Sequence, residues 1–310
     1  MTNQRGVALI VVILIVSVIV ALTIRMNRDM RSEVYEAANL SDQIRLNYVS
    51  KSGIYAAQAL LLADKNDFDA LSEDWANTEM LSLKSEEFFD NASFKLLIED
   101  EGGKIPLHHL VAGNAYNVPV RDMTLRLLTG PYFRLEQETA EELVDSLKDW
   151  MDADSETTGR GSEANAKNSP FDCIDELLMI KGVSRELFYG SERFFGLANC
   201  LRVSGDVKIN MNTAPKPVLR ALSDKMTAEA VDGIDKYRRD EKNPVSNPGW
   251  YSNVPEAAGM NIPAGSISVK SDTFRIRADA MQGRMTRRIV AVINRNTSTK
   301  KITTLSWRVD

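Results

Sequence analysis

The chain has 310 residues, 43 acidic and 38 basic, for a formal net charge of −5. That length holds two or more compact units besides any anchor, and the negative balance argues against bulk electrostatic attraction to nucleic acid or an anionic membrane. With two cysteines, two histidines and no CxxC, HExxH, GxSxG, P-loop or Rossmann glycine pattern, the sequence offers no zinc site and no catalytic constellation, and the chain is read as a non-enzyme.

In chain order, a short polar leader, MTNQRG, is followed by an apolar run from Val7 to Ile24 interrupted only by Ser17 and Thr23. As a helix it is about 27 Å long, close to the hydrocarbon thickness of a bilayer, and it lacks the polar face of a soluble core helix. Helical character continues to about Ala63, without proline and with only Gly53. Met26, Met30, Val34, Leu40, Ile44, Tyr48, Tyr55, Ala59 and Leu62 form an apolar stripe at helical spacing. The spacing predicts one helix from Val7 to Ala63 whose second half packs this stripe on a globular head; a juxtamembrane amphipathic linker explains the stripe equally well. Arg25, Arg28 and Arg31 outnumber the charges of the leader, so the positive-inside rule places the body in the cytoplasm.

Beyond this helix, Asp64 to Asp90 reads as an acidic loop with a short helix around Trp75. Residues 94–98 and 104–107 read as a hairpin closed by the turn Glu99–Gly103. His108 and His109 are adjacent, so on a strand or loop their side chains point apart, and a structural role is favoured over metal ligation. Thr139, with Glu142 three residues on, is read as a capping box, opening a helix with Ala140, Leu143, Val144, Leu147, Trp150 and Met151 on one face. At its end, Asp149, Asp152 and Asp154 crowd three carboxylates where a helix terminus favours cations. Calcium takes about six to eight oxygen ligands, so the loop suits it, although the EF-hand spacing is missing; simple solvation of the acids is the other reading.

The segment DELLMIKGVS is like half of a helix-hairpin-helix unit. Its second glycine position is Ser184 and its surroundings are acidic, which favours packing over phosphate binding. Thr213, before Ala214 and Pro215, is read as a helix N-cap, and Trp250 and Tyr251 as packing anchors in the loop 243–263. Strands are expected at 267–271, 273–280, 285–294 and 301–309, joining the 94–107 hairpin in a sheet beneath the long helix.

Several of these stretches together resemble one family. A basic leader ending in Gly6 and passing at once into an apolar helix is similar to the class III leaders of type IV pilins and type II secretion pseudopilins, and RGVALIVVILIV is most like the K-class minor pseudopilins of type II secretion. Counting from Val7, the fifth position is Val11, where most pilin-like proteins carry a glutamate and the K class does not. EDEGGKIPLHHLV, with His108 in place of the usual Asn, DWMDAD, GSE, CIDELLMIKGV, KINMNTAPKPVLRAL and SDTFRIRA each resemble a passage of that class.

The resemblance implies an α+β fold: a pilin-like long N-terminal helix, transmembrane in its first half, packed on an antiparallel sheet with a large inserted helical SAM-like or helix-hairpin-helix-like domain. The segments are then a leader (1–6), a transmembrane helix (7–24), its periplasmic continuation (25–63), the first part of the head (64–107), the inserted domain (108–207), a second helical unit and loop (208–263) and the terminal strands (264–310). Prepilin peptidase would cut between Gly6 and Val7 and methylate the new amine. Calcium would be held by Asp149, Asp152, Asp154 and Glu163, with Ala164 standing where a further acid is expected. In an oxidising periplasm Cys173 and Cys200 are candidates for a disulfide; two buried thiols are the alternative. The implied protein is a single-pass inner-membrane subunit with a periplasmic body, at the pseudopilus tip. Its partners would be the other minor pseudopilins of a tip complex, the major pseudopilin, prepilin peptidase and the inner-membrane secretion platform, with no nucleic acid. A type IV pilus minor pilin and a membrane-tethered helix-hairpin-helix protein binding DNA are the alternatives.

Overall fold

The computed structural model describes residues 4–154, 156–163, 166–191, 194–260 and 262–310. Helix α1 (Gln4–Ala63) is unbroken over 60 residues, about 90 Å at the α-helical rise. It already includes Gln4–Gly6 of the leader; the first three leader residues lie outside the described residues. Residues 6–41 are exposed along their whole length. From Leu46 onward one side is buried, by Leu46, Val49, Ser50, Gly53, Ile54, Ala57 and Leu61.

This is not the stripe that the apolar periodicity nominated. Met26, Met30, Val34, Leu40, Ile44, Tyr48 and Tyr55 are all more than half exposed, and at about 100° per residue Tyr48 and Tyr55 lie roughly opposite Gly53 and Ala57. At Gly53 the sheet leaves no room for a side chain, while Leu46, Val49, Ile54 and Leu61 fill the rest of the packed side. A Cβ on Gly53 would lie 3.0 Å from Ala278 Cβ and 3.2 Å from the Phe94 ring, so helix and sheet approach at a distance that the bulky stripe does not permit. The stripe exists, and it faces outward.

After α1 come a loop around buried Trp75, which meets Phe274 edge-on at 5.3 Å, and the short α2 (Glu79–Lys84). Strand β1 (Ser93–Asp100) alternates Phe94, Leu96 and Ile98 inward. The hairpin expected at 94–107 does not form. Asp100, Glu101 and Lys104 are buried, and the chain leaves the sheet here. Strand β2 (Ile105–Pro106) lies instead beside a later strand, β5, in parallel. Gly102 and Gly103, read as turn residues, serve close approach: a Cβ on them would meet Ser271 Oγ at 2.1 Å and Thr213 Oγ1 at 2.7 Å.

The helical body then comprises β3 (Val111–Ala112), β4 (Ala115–Tyr116), α3 (Val118–Thr129), α4 (Gln137–Met151), α5 (Arg185–Tyr189), β5 (Leu201–Arg202), β6 (Ile209–Asn210), α6 (Lys216–Ala221) and α7 (Ala228–Arg239). Helix α4 starts before Thr139, so the expected capping box is not used. Its predicted face, from Ala140 to Met151, is buried as expected. One hydrophobic core runs from Ala70 through these helices to Val269 and takes in both 108–207 and 208–263. Trp250 stacks on Tyr237 at 5.2 Å and donates Nε1–H to Asn212 Oδ1 at 2.8 Å.

Of the four terminal strands expected, β7 (Ile267–Ser268) pairs in parallel with β6. The other three, β8 (Thr273–Gln282), β9 (Met285–Asn296) and β10 (Lys301–Val309), join β1 in an antiparallel sheet of order β1-β8-β9-β10. The sheet therefore has four strands, closed over by α1 through a separate cluster containing Phe274, Ile276, Ala278, Ile289, Ala291 and Ile293.

A buried polar network joins the two bodies. Asp100 Oδ2 accepts from Thr213 Oγ1 (2.5 Å), Ser271 Oγ (2.7 Å) and Asn210 Nδ2 (2.9 Å), while Oδ1 accepts from Gly102 N at 2.6 Å. Thr213 thus spends its hydroxyl on Asp100 and does not cap α6, whose N-cap position is Pro215. Beside it Arg295 pairs with Asp69 at 2.5 Å and Asp64 at 2.9 Å and donates to the carbonyls of Leu61 and Ser271. Glu101 pairs with Lys104 at 2.7 Å and Arg275 at 2.9 Å. Burial raises Asp69 to about 6 although Arg295 pulls it down, and burial also raises Asp100.

Two outcomes are expected. Gly53→Leu should destabilise the protein by about 1–3 kcal/mol through overpacking, read as a lower midpoint in denaturant unfolding. A carboxyl raised from 3.8 to about 6 on folding binds its proton more tightly when folded. Its contribution is therefore fully present below the unfolded value near 3.8 and lost as pH rises through about 6. Asp69→Asn should flatten that part of the stability-versus-pH curve.

Candidate functional site

Two features outside the cores invite a functional reading: the exposed length of α1 and an acidic cluster at the end of α4. Along Val7–Ile24 the two polar side chains are satisfied within the helix, Ser17 Oγ donating to Ile13 O and Thr23 Oγ1 to Ile19 O, both at 2.8 Å. No donor is left facing outward there, which is what a hydrocarbon environment requires; by length and composition this helix is fit to cross a membrane. Gly6 and Val7 are consecutive residues of α1, with open space around the Gly6 Cα.

At the other feature, α4 ends at Met151 and the following loop folds back on it. Asp149, Asp152 and Glu163 each offer an oxygen within 4.8 Å of the others. Asp149 Oδ1 accepts from Thr158 N at 2.8 Å, and Asp152 Oδ2 is paired with Lys148 Nζ, which also donates to Thr158 Oγ1 at 2.7 Å. The remaining oxygens, Asp149 Oδ2, Asp152 Oδ1 and Glu163 Oε1, are buried without a hydrogen-bond partner, as is Asn168 Oδ1. Burial first, and then the charges of Asp149, Asp152 and Asp154, raise the Glu163 carboxyl above its ordinary range. Gly161 makes room for this arrangement, since a Cβ there would lie 2.2 Å from Asp149 Oδ2.

Orphaned oxygens in a crowded acidic pocket fit a hard cation. The donors that converge, two aspartates and a glutamate, are oxygen throughout and suit calcium better than zinc. Of the four acids nominated from sequence, three converge. Asp154 stands outside this group: its Oδ1 accepts from Glu156 N, and its carbonyl accepts from Asn168 Nδ2 at 2.9 Å. Ala164 lies outside the described residues. A second acidic group, Asp64, Asp69 and Glu73, is already partnered by Arg295, Ser271, Ala70 and Trp75.

The remaining nominated residues are structural. Cys173 and Cys200 are free cysteines, so the expected bridge is not formed. Cys173 precedes the 3-10 turn Ile174–Met179 while Cys200 sits in the core, where burial pushes its thiol up to about 12. His108 and His109 do not point apart: Leu107–His109 is a 3-10 turn, and their rings lie 4.3 Å from each other. His108 Nε2 meets Gly205 O at 2.9 Å, and burial lowers its pKa to about 4. In the hairpin-like segment Ser184 caps α5, accepting from Leu187 N at 3.0 Å, and Leu177 and Ile180 are buried.

A long helix with a membrane-compatible first half, laid on an antiparallel sheet that carries an inserted helical body, is the architecture of a pilin-like subunit. Residues 103–194 match the family model for "Type II secretion system (T2SS), protein K". The type II secretion system protein K of Pseudomonas aeruginosa is 27% identical over 257 residues, 77% of this chain and 74% of that protein. A putative protein K of Escherichia coli K12 is 22% identical over 71% of this chain and 70% of its own. A solved chain from the GspK-GspI-GspJ complex of enterotoxigenic Escherichia coli shares the fold, with a TM-score of 0.69 at 15% identity over 89% of this chain and 99% of that one. By these matches the chain is similar to the protein K family of type II secretion, the minor pseudopilin class that its sequence resembles.

Proposed function

We propose that this chain is a minor pseudopilin of the protein K type that sits at the tip of a type II secretion pseudopilus, starts its assembly with other minor pseudopilins and supports export of folded proteins across the outer membrane. The observation that carries the reading is the outward stripe of α1. The side of α1 facing the sheet is filled by the chain's own core, while Met26, Met30, Ile44, Tyr48 and Tyr55 remain exposed in line with the membrane-compatible segment. Such a stripe suits packing against the long helices of neighbouring subunits, and the solved structural relative is part of a complex named for three Gsp proteins. Val11 adds to the case for the tip. A buried carboxylate in hydrocarbon is useful only with a partner amine, and a subunit with none above it has no call for one.

In this reading the body after about Ile24 is periplasmic, against the charge bias of Arg25, Arg28 and Arg31. The chain is a structural component and not a catalyst, and its covalent processing is done by prepilin peptidase between Gly6 and Val7. The acidic pocket holds calcium through Asp149, Asp152 and Glu163, neutralising the acids and tying the loop to the end of α4.

Intact-mass analysis of protein from its own membranes should show loss of Met1–Gly6 and gain of one methyl group. Gly6→Leu should retain the leader; a mature mass in that variant would refute the processing assignment. Calcium at about a hundredfold over its Kd should stabilise the folded chain by about 2.7 kcal/mol, read as a rise in unfolding midpoint. Glu163→Gln should lose most of that gain, yet in chelator it should be no less stable than the parent, because it relieves repulsion among the acids.

A further inference from the structure

The two outer edges of the sheet are treated differently. Along β1 the outward backbone groups are met by hydroxyls. Ser82 Oγ accepts from Leu96 N and Ser85 Oγ from Phe94 N, both at 3.0 Å; Thr78 Oγ1 donates to Leu96 O at 2.5 Å and Ser85 Oγ to Phe94 O at 3.2 Å. The segment around α2 therefore seals that edge. Along β10 no such cover exists among the described residues. Arg288 and Asp310 exchange both backbone hydrogen bonds, at 3.2 and 2.9 Å. By the alternation of an antiparallel ladder, Trp307 opposite Ala291 and Val309 opposite Ile289 turn their N–H and C=O groups away from β9.

The side chains at this edge are also unsheltered. Ala291 and Ile289 point to the buried side of the sheet, so Trp307 and Val309 share that side, but α1 rests chiefly on β1, β8 and β9. Trp307 and Val309 remain 38% exposed and Leu305, at the register shift between Thr304 and Ser306, 48%. Lys300 and Lys301 open the strand with no acidic partner among the described residues, whereas Arg308 near its end is paired with Asp175 at 2.7 Å and Asp310 at 3.2 Å. Edge lysines usually guard against indiscriminate pairing. Here they stand at one end, and the stretch Ile302–Trp307 carries no charge and no proline.

We propose that the β10 edge receives one extended strand of a partner protein, with apolar residues alternating on the Trp307–Val309 side and a carboxylate beside Lys300 and Lys301. Main-chain bonds to Trp307 and Val309 supply the pairing and the basic end supplies the choice of partner. The irregularity at Leu305 divides the edge, so the added strand pairs regularly at Trp307 and Val309 and continues past it to reach Lys300 and Lys301. The proposal goes beyond the pseudopilin reading and does not depend on it.

The test uses the full chain in detergent micelles and follows amide hydrogen exchange with two synthetic probes: a peptide of alternating valine and threonine with glutamate at its ends, and the same peptide with lysine ends. Saturating glutamate-ended peptide should slow the Trp307 and Val309 amides by about tenfold or more, with the lysine-ended peptide inert. Val309→Pro removes an outward N–H without removing a bond to β9 and should abolish the slowing, while exchange at Ile276 in β8 reports that the sheet is intact. Should that variant misfold, Lys301→Glu is the second probe, and it should weaken the response to the glutamate-ended peptide. No slowing with either peptide, or equal slowing with both, would overturn the proposal. Slowing without peptide that grows with protein concentration would overturn it in favour of a second copy of this chain.

Discussion

Arg295 and Asp100 hold together what would otherwise be two separate bodies. Arg295 is on the last-but-one strand of the pilin-like sheet, yet its guanidinium reaches Leu61 at the end of α1, Asp64 and Asp69 in the loop that follows, and Ser271 just before β8. Asp100 gathers Gly102, Asn210, Thr213 and Ser271 around one carboxylate. Burying such groups costs free energy unless every lone pair and proton is matched, and a nearly complete set of partners makes the arrangement strongly position-dependent. The insertion can leave the sheet after Asp100 and return at Ser271 because both points are pinned to the same polar cluster.

The second constraint is steric. Gly53 lets α1 approach Ala278 and Phe94 closely, while Leu46, Val49, Ile54, Ala57 and Leu61 fill the rest of the packed side and the stripe from Met26 to Tyr55 stays outward. Both sides are apolar, and the sheet beneath α1 decides which one packs. At the acidic pocket Lys148 neutralises one oxygen of Asp152 and Thr158 serves one of Asp149, leaving the opposite oxygens unmatched in the group they form with Glu163.

The sequence by itself determined the elements whose signal is local. The apolar run Val7–Ile24, the helix to Ala63, the buried face of α4, the strands β1, β8, β9 and β10 and the clustering of Asp149 and Asp152 follow from periodicity and spacing along the chain. Motif likeness also brought Glu163 to the site although it lies eleven positions beyond Asp152, and led to the protein K family.

Only the tertiary structure decided questions that turn on which distant surface a local element meets. It chose the stripe of α1 that packs, because periodicity reports that an apolar face exists and not what fits against it. It replaced the 94–107 hairpin by a crossing, because Gly102 and Gly103 look like turn residues until Ser271 and Thr213 are seen against them. It moved β7 out of the main sheet, kept Cys173 and Cys200 as separate thiols, and left Asp154 outside the group formed by Asp149, Asp152 and Glu163. Each of these depends on contacts between residues far apart in the chain, and such contacts are set by volume and hydrogen-bond complementarity that no local pattern encodes.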